Sequence, residues 1–356
     1  MKSRQHNILT KLFFYLIISI FTTGVVVKWS QSANPAQLPA TVGIGTHPVG
    51  GAYHAVGTGI AVLISDKTKI RAVVQPFAGP NAWMPQMQSG QLELGVLAAT
   101  DGAWAYTGGF GYNKPYKNLR LVLRGNVVRS NVFMVLKRSR ITKITDLKGK
   151  RVGSQYGGNQ FIHRLNEAML RSVGMTWKDV VEVPVPDTAS ANRLLREGRI
   201  DAGTTGAPTT PSAIELHTAL GTYSLSYGDM HPVDIEKGIP SDKQAILDEL
   251  VPGCFPSIAK DGVGVIEKDT VLITSPVYLA ASLLLSDEAV YTILKVIWEN
   301  YSDLHSVHPW LKEWIPNTMA AGNNFVPYHD GAVKFFKEKG VWTETMQNRQ
   351  QKLLNQ

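Results

Sequence analysis

Only one cysteine, Cys254, stands in a chain of 356 residues. A single thiol cannot close a disulfide within the chain, so no covalent staple holds the fold even in an oxidising compartment. It lies in Val251-Pro252-Gly253-Cys254-Phe255-Pro256, a turn with no neighbouring base in sequence, which leaves little to activate a nucleophile. Charge is sparse as well, at 18% of residues. The basic residues are scattered apart from Lys137, Arg138, Arg140 and Lys143, which read as a solvated surface. The stripe of cations that nucleic-acid binding needs is missing, so nucleic acid is not an expected partner.

Catalytic signatures are also missing. The Gly-rich stretch Gly45 to His54 lacks the Gly-Lys-Ser/Thr ending of a phosphate-binding loop, and His47 and Pro48 interrupt any dinucleotide fingerprint. There is no Gly-x-Ser-x-Gly elbow. The nine histidines do not pair at metal spacing. His305 and His308 stand three apart, but no Cys, Asp or Glu supports them. Asp101 and His54 form an acid–base pair only if the fold brings them together. No catalytic residue, metal or cofactor is therefore expected.

What the chain does have begins with a leader. Lys2, Arg4 and Lys11 precede an uncharged apolar run, Leu12 to Val27, and Ser30 to Ala33 is small and polar. That order describes a secretory signal peptide over residues 1–33, or an uncleaved N-terminal anchor. Either predicts an exported, periplasmic protein. No cysteine follows the apolar run, which argues against lipid attachment. Setting the four leader cations aside, Lys28 included, takes the formal charge from +8 to +4. The remainder carries no second long apolar run. Its length and its 44% apolar content suit two domains of ordinary size.

Alternating strand and helix patterns predict an α/β fold. Ala40 to Ile44 and Ile70 to Gln75 read as strands around a helix bearing Val56, Ile60 and Ile64. Asn81 is the expected N-cap of the next helix, and Thr188 or Ser190 that of a later one. Two stretches echo each other: Met87 to Gly95 and Leu195 to Gly203. In both, a helix stops at a glycine, Gly90 or Gly198, and a strand follows with an acid, Glu93 or Asp201, in its second position. A glycine past a helix end takes the left-handed conformation at no steric penalty. The repeat predicts two α/β lobes: 40–128 plus 256–356, ending in helices, and 129–255. A chain that leaves a lobe and returns makes a two-stranded hinge.

Ligands in open α/β sheets sit beyond the carboxyl ends of strands, near helix N-termini. Four small-residue loops meet that description. The first offers Thr46, Gly50, Gly51, Ala52 and Tyr53. The second offers Asn81 and Trp83, the third Ser154, Gly157 and Asn159, and the fourth Thr205, Gly206 and Ala207. Their hydroxyls and free N–H groups suit a carboxylate or another small anion. Tyr53 and Trp83 are either walls for an organic ligand or core.

At these loops the sequence resembles the TAXI-type solute-binding proteins of TRAP transporters. Gly50-Gly51-Ala52-Tyr53-His54-Ala55-Val56-Gly57 is similar to that family's Gly-Gly-Thr-Tyr-Tyr-Pro-Val-Gly turn. Asp146 to Gly153 resembles its Asp-Leu-Lys-Gly-Lys-Arg-Val-Gly segment. Pro327-Tyr328-His329-Asp330-Gly331-Ala332, followed by Lys337-Glu338-Lys339-Gly340, resembles its C-terminal pattern. The resemblance runs from about Val42 to Trp342. It implies a type II periplasmic binding-protein fold with a cleft between two lobes, a carboxylate or amino-acid ligand, and delivery to a TRAP-type membrane permease. Thr100-Asp101 departs from a frequent Ser-Asp or Asn in that region, and both residues join the candidate cleft. Ala52 replaces a common Thr, and Pro80-Asn81-Ala82-Trp83 replaces a commoner Ser-Val-Glu-Asn. The competing readings are a receptor for an ATP-driven importer or sensor, and a periplasmic hydrolase on the same scaffold.

Overall fold

The computed structural model describes residues 38–130 and 132–356, side chains 126 and 309 excepted. The leader, the expected signal peptide and its cleavage region lie outside the described residues. No helix among the described residues is long and apolar enough to cross a membrane.

Two sheets organise the chain. The first is six-stranded, from β1 (Thr41–Thr46), β2 (Arg71–Pro76), β3 (Leu94–Ala98), β4 (Leu119–Ser130), β10 (Phe255–Ala259) and β11 (Thr270–Ser282). The second is five-stranded, from β5 (Met134–Leu136), β6 (Arg151–Gln155), β7 (Val181–Val185), β8 (Ala202–Gly203) and β9 (Thr222–Ser224). Between strands run α1 (Ala52–Lys67), α2 (Pro80–Ser89), α3 (Ala99–Thr107), α4 (Gln160–Arg171), α5 (Thr188–Arg196) and α6 (Pro211–Leu220).

The two sheets share one plan. In the first, β1 lies parallel to β2 and β3, β3 is antiparallel to β11, and β11 to β4. In the second, β6 lies parallel to β7 and β8, β8 is antiparallel to β5, and β5 to β9. The unit β1–α1–β2–α2–β3 therefore returns as β6–α4–β7–α5–β8.

The sequence echo has a structural cause. Gly90 and Gly198 both end their helices at left-handed φ values of 77° and 69°. The acid after each then reaches across to the first strand of its unit. Glu93 Oε2 accepts the Gly43 N–H at 2.7 Å, and Asp201 Oδ2 accepts the Arg151 N–H at 2.8 Å. Each acid thus ties the third strand of its unit to the start of the first.

Helices cover the sheets with one apolar face each. On α1, Val56, Ile60 and Ile64 are buried in the first core; on α4, Phe161, Leu165 and Met169 are buried in the second. The chain passes to the second sheet after β4 and re-enters the first at β10. All of β11 is buried, and it pairs with β4 along one edge and with β10 and then β3 along the other. The C-terminal part adds α7 (Pro232–Glu236), α8 (Ser241–Leu250), α9 (Asp287–Glu299), α10 (Pro316–Met319), α11 (Asp330–Glu338) and α12 (Glu344–Leu354).

Two expected caps are displaced. Gly79, not Asn81, is the N-cap of α2, because Pro80 takes the first helical position that suits its fixed φ. Asp187, one residue before Thr188, caps α5 by accepting the Ser190 N–H at 2.7 Å.

Candidate functional site

Loops from both sheets enclose a cavity of about 40 Å³. A void that size takes a few water molecules, so the loops lie close together. Its walls come from the turn after β1 (His47, Gly51, Ala52, Tyr53), from the start of α4, from the loop after β8 (Thr204, Gly206, Ala207), from β4, and from Trp310.

Three helices begin at this wall. Gly51 is the N-cap of α1, Asn159 that of α4, and Thr188 is the first residue of α5. Neither Gly51 nor Asn159 caps its helix with a side chain. Among the described residues, the N–H groups of Ala52, Tyr53 and His54 meet no acceptor. Unsatisfied N–H groups and the positive end of the helix dipole make such a wall favourable to negative charge. No lysine or arginine lines the cavity, so those backbone groups carry the positive potential.

Two buried side chains aim spare polar atoms into the same space. Asn159 Nδ2 lies 3.4 Å from His47 Nδ1, while His47 Nε2 and Asn159 Oδ1 have no partner. Either orientation of the amide, matched to either tautomer, leaves one donor and one acceptor over. Burial pushes the His47 pKa down to about 3, so its ring is neutral at pH 7. Tyr53 stacks on His47 with ring centres 4.0 Å apart, and Trp310 meets Tyr53 edge-on at 6.2 Å. Phe161, Ile162 and Leu165 supply apolar wall.

Of the residues expected at the site, Gly51, Ala52, Tyr53, Asn159, Gly206 and Ala207 line the cavity. Others hold the two loop sets together. The Gly50 carbonyl accepts from the Ser212 N–H at 3.4 Å and from its hydroxyl at 3.2 Å. Asn81 Oδ1 accepts the Gln160 N–H at 2.9 Å, and Asn81 Nδ2 donates to the Gly111 carbonyl at 2.9 Å. Asn81 is therefore a latch across the cleft. Thr46 and Ser154 are buried, the first donating to the His47 carbonyl at 3.1 Å and the second with its hydroxyl unpartnered. The Gly157 N–H donates to Val185, and the Thr205 hydroxyl to the Met134 sulfur.

Trp83 is core rather than wall. Its indole packs over Gly45 and Gly95, where an added Cβ would lie 3.1 and 2.5 Å from the ring. The Thr100 hydroxyl donates to the Pro252 carbonyl at 2.9 Å and lies 3.7 Å from the Cys254 sulfur. Burial pushes the Cys254 thiol up to about 12, so it stays protonated. Asp101 is fully buried on α3, and neither carboxylate oxygen has a hydrogen-bond partner. Burial raises its pKa to about 8; the nearby Tyr112 hydroxyl pulls the other way without reaching hydrogen-bond geometry.

His47, Thr204, Thr188, Ser130, Val128 and Trp310 also line the cavity. His47 carried a local signal, being the first residue past β1 in a Gly-rich turn. Trp310 carried none, because only the fold brings it back to the β1 turn.

The NMT1-like family profile matches residues 44–340. A "Putative thiamine biosynthesis protein" of Haemophilus influenzae is 37% identical over 93 residues, which is 26% of this chain and 28% of that relative's length. Among solved structures, MatC from Rhodopseudomonas palustris with bound malate aligns over 89% of this chain and 100% of its own, at TM-score 0.52 and 12% identity. R. palustris Rpa4515 with adipate aligns over 90% and 99%, at TM-score 0.50 and 14% identity. At such identities the likeness establishes the fold: two α/β lobes of the periplasmic binding-protein type.

Proposed function

The chain belongs to the NMT1-like family, and from that premise we propose that it is an extracytoplasmic receptor that captures a small anionic solute, a carboxylate or amino acid, between its two lobes. The observation that carries this reading is the meeting of two helix N-termini without a side-chain cap, those of α1 and α4, with the unpartnered atoms of His47 and Asn159 in one cavity. The solute's carboxylate takes the free N–H groups of α1, and His47 and Asn159 take the remaining donor and acceptor. Tyr53, Trp310 and Phe161 cover its carbon body. The bodies that close are 40–128 plus 256–356 and 129–255. Cys254, the one thiol, is held protonated, and His47 is held neutral with no acid beside it, which supports binding without chemistry.

Delivery to a TRAP-type permease in the periplasm rests on the resemblance at Gly50–Gly57 and Pro327–Gly340. Thermal melts of the protein against short mono- and dicarboxylates and amino acids test the receptor reading, since a ligand bound to the folded state raises Tm. A tight solute at about 100 times its Kd adds roughly 2.7 kcal/mol. No shift across the series would sink the reading. Uptake of the hit by permease-bearing vesicles, driven by an ion gradient rather than ATP, tests the transporter class.

A further inference from the structure

A larger cavity, about 420 Å³, shares no lining residue with the cleft. It opens where the two long strands β4 and β11 fall out of step, between Pro276 and Tyr278. Arg124 of β4 and Arg349 of α12 line it, together with Phe255, Phe325 and the Tyr278 ring. No acid does, and neither guanidinium enters an ion pair among the described residues.

Each arginine is nonetheless held in place by one hydrogen bond. Arg124 Nη1 donates to Asn323 Oδ1 at 2.9 Å, and Arg349 Nε donates to the Asn324 carbonyl at 2.7 Å. That leaves both terminal amino groups of Arg349, and Nη2 and Nε of Arg124, without an acceptor among the described residues. Burial raises the Tyr278 pKa, and the positive charges of Arg124 and Arg349, which line the same cavity, both pull it the other way. The Tyr278 oxygen itself accepts the Phe325 N–H at 3.1 Å, which fixes the Phe325 ring in the wall. Gly253 lets that ring approach: its φ is 86°, and an added Cβ would stand 2.7 Å from it.

Guanidinium groups present parallel N–H bonds that match the oxygens of a carboxylate, and their planes and aromatic rings suit a flat apolar body. Pre-positioned cations lose little freedom on binding. The volume lies within the range of small-molecule sites.

We propose that this cavity is a second binding site, for a small organic anion with a planar apolar body such as an aryl carboxylate. It binds independently of the cleft and spans β4, β11, the C-terminal helix and the Phe325 loop.

The test is a fluorine NMR titration of the full chain with 4-fluorobenzoate. Saturable binding is expected, weakened about tenfold by Arg124→Gln and about tenfold by Arg349→Gln, the loss of a hydrogen-bonded charge pair. Asn159→Ala, in the cleft, should leave it intact. Thermal melts check that each variant folds. Arg124 bonds only an exposed side chain, so Arg124→Gln keeps the question decidable if Arg349→Gln, which loses a bond to the Asn324 carbonyl, does not fold. Absence of saturable binding at millimolar concentration, indifference to Arg124→Gln, or loss with Asn159→Ala would each overturn the proposal. The result is separate from the cleft reading, because a failed solute screen leaves this titration unaffected.

Discussion

His47 and Asn159 approach from opposite sheets and meet at 3.4 Å, each with a further polar atom left over. Buried polar atoms without partners are costly, and a bound solute that supplies the missing donor and acceptor removes that penalty. Asn159→Ala deletes one half of the pair. It should raise the Kd of the solute found in the melt series by about tenfold, roughly 1.4 kcal/mol. Isothermal titration checks this. An unchanged Kd would place the solute away from Asn159.

Closure can be tested through Gly158, on the loop before α4. A Cβ there would run into the Ala78 side chain, on the loop before α2, so these two loops touch with no room for a methyl group. Gly158 does not have a positive φ, and alanine is therefore unstrained when the loops are apart. Gly158→Ala should keep the Tm of the solute-free protein within ~1 °C and weaken solute binding by roughly tenfold or more. In small-angle scattering, the solute should no longer shrink the radius of gyration. Normal contraction in this variant would show that the loops need not meet.

How much of this was legible in the chain depends on range. The helix stops at Gly90 and Gly198 and the acids at Glu93 and Asp201 carry local signals, and they marked the repeated unit. The α1 turn was visible because Gly50 and Gly51 interrupt apolar periodicity. Trp83 stayed open between wall and core, since an indole in a loop-like context fits either, and only the glycines at positions 45 and 95 on neighbouring strands make room for it in the core. Asn81 misled through Pro80, whose preference for the first helical turn moved the cap to Gly79. Trp310 and the cavity between β4 and β11 depend on contacts between residues more than a hundred positions apart, which no local pattern encodes.

Asp101 gives the protein a pH dependence of its own. Its pKa is 3.8 in the unfolded reference and about 8 when buried. Between those values the folded state holds a proton that the unfolded state has lost, so stability falls as pH rises. Asp101→Asn keeps the shape and removes the charge. Its Tm should match the parent near pH 4 and exceed it near pH 9 by several degrees, the order of a few kcal/mol. Melts across that range check it. A parent curve parallel to that of the variant would mean that Asp101 does not titrate in this window.

The two acids that tie strands can be compared directly, because they perform one task in two environments. Glu93 holds only the Gly43 N–H at 2.7 Å. Asp201 holds the Arg151 N–H at 2.8 Å and also its guanidinium, through Nη2 at 2.8 Å and Nε at 3.1 Å. The ion pair is partly exposed and adds little by itself. Removing either carboxylate leaves a strand-end N–H to find water, at about 1–2 kcal/mol. Glu93→Ala and Asp201→Ala should therefore destabilise by similar amounts at pH 7, in spite of the extra arginine in the second site. Hydrogen bonding from the Arg151 guanidinium holds the Asp201 carboxyl below its ordinary 3.8. A depressed acid contributes stability that is present above the unfolded pKa and lost as pH falls through the folded one. The gap between the parent and Asp201→Ala should accordingly hold from pH 7 down to about pH 4 and narrow below it, as urea melts at each pH would show. A gap constant down to pH 2 would mean that the Asp201 charge contributes nothing to the strand tie.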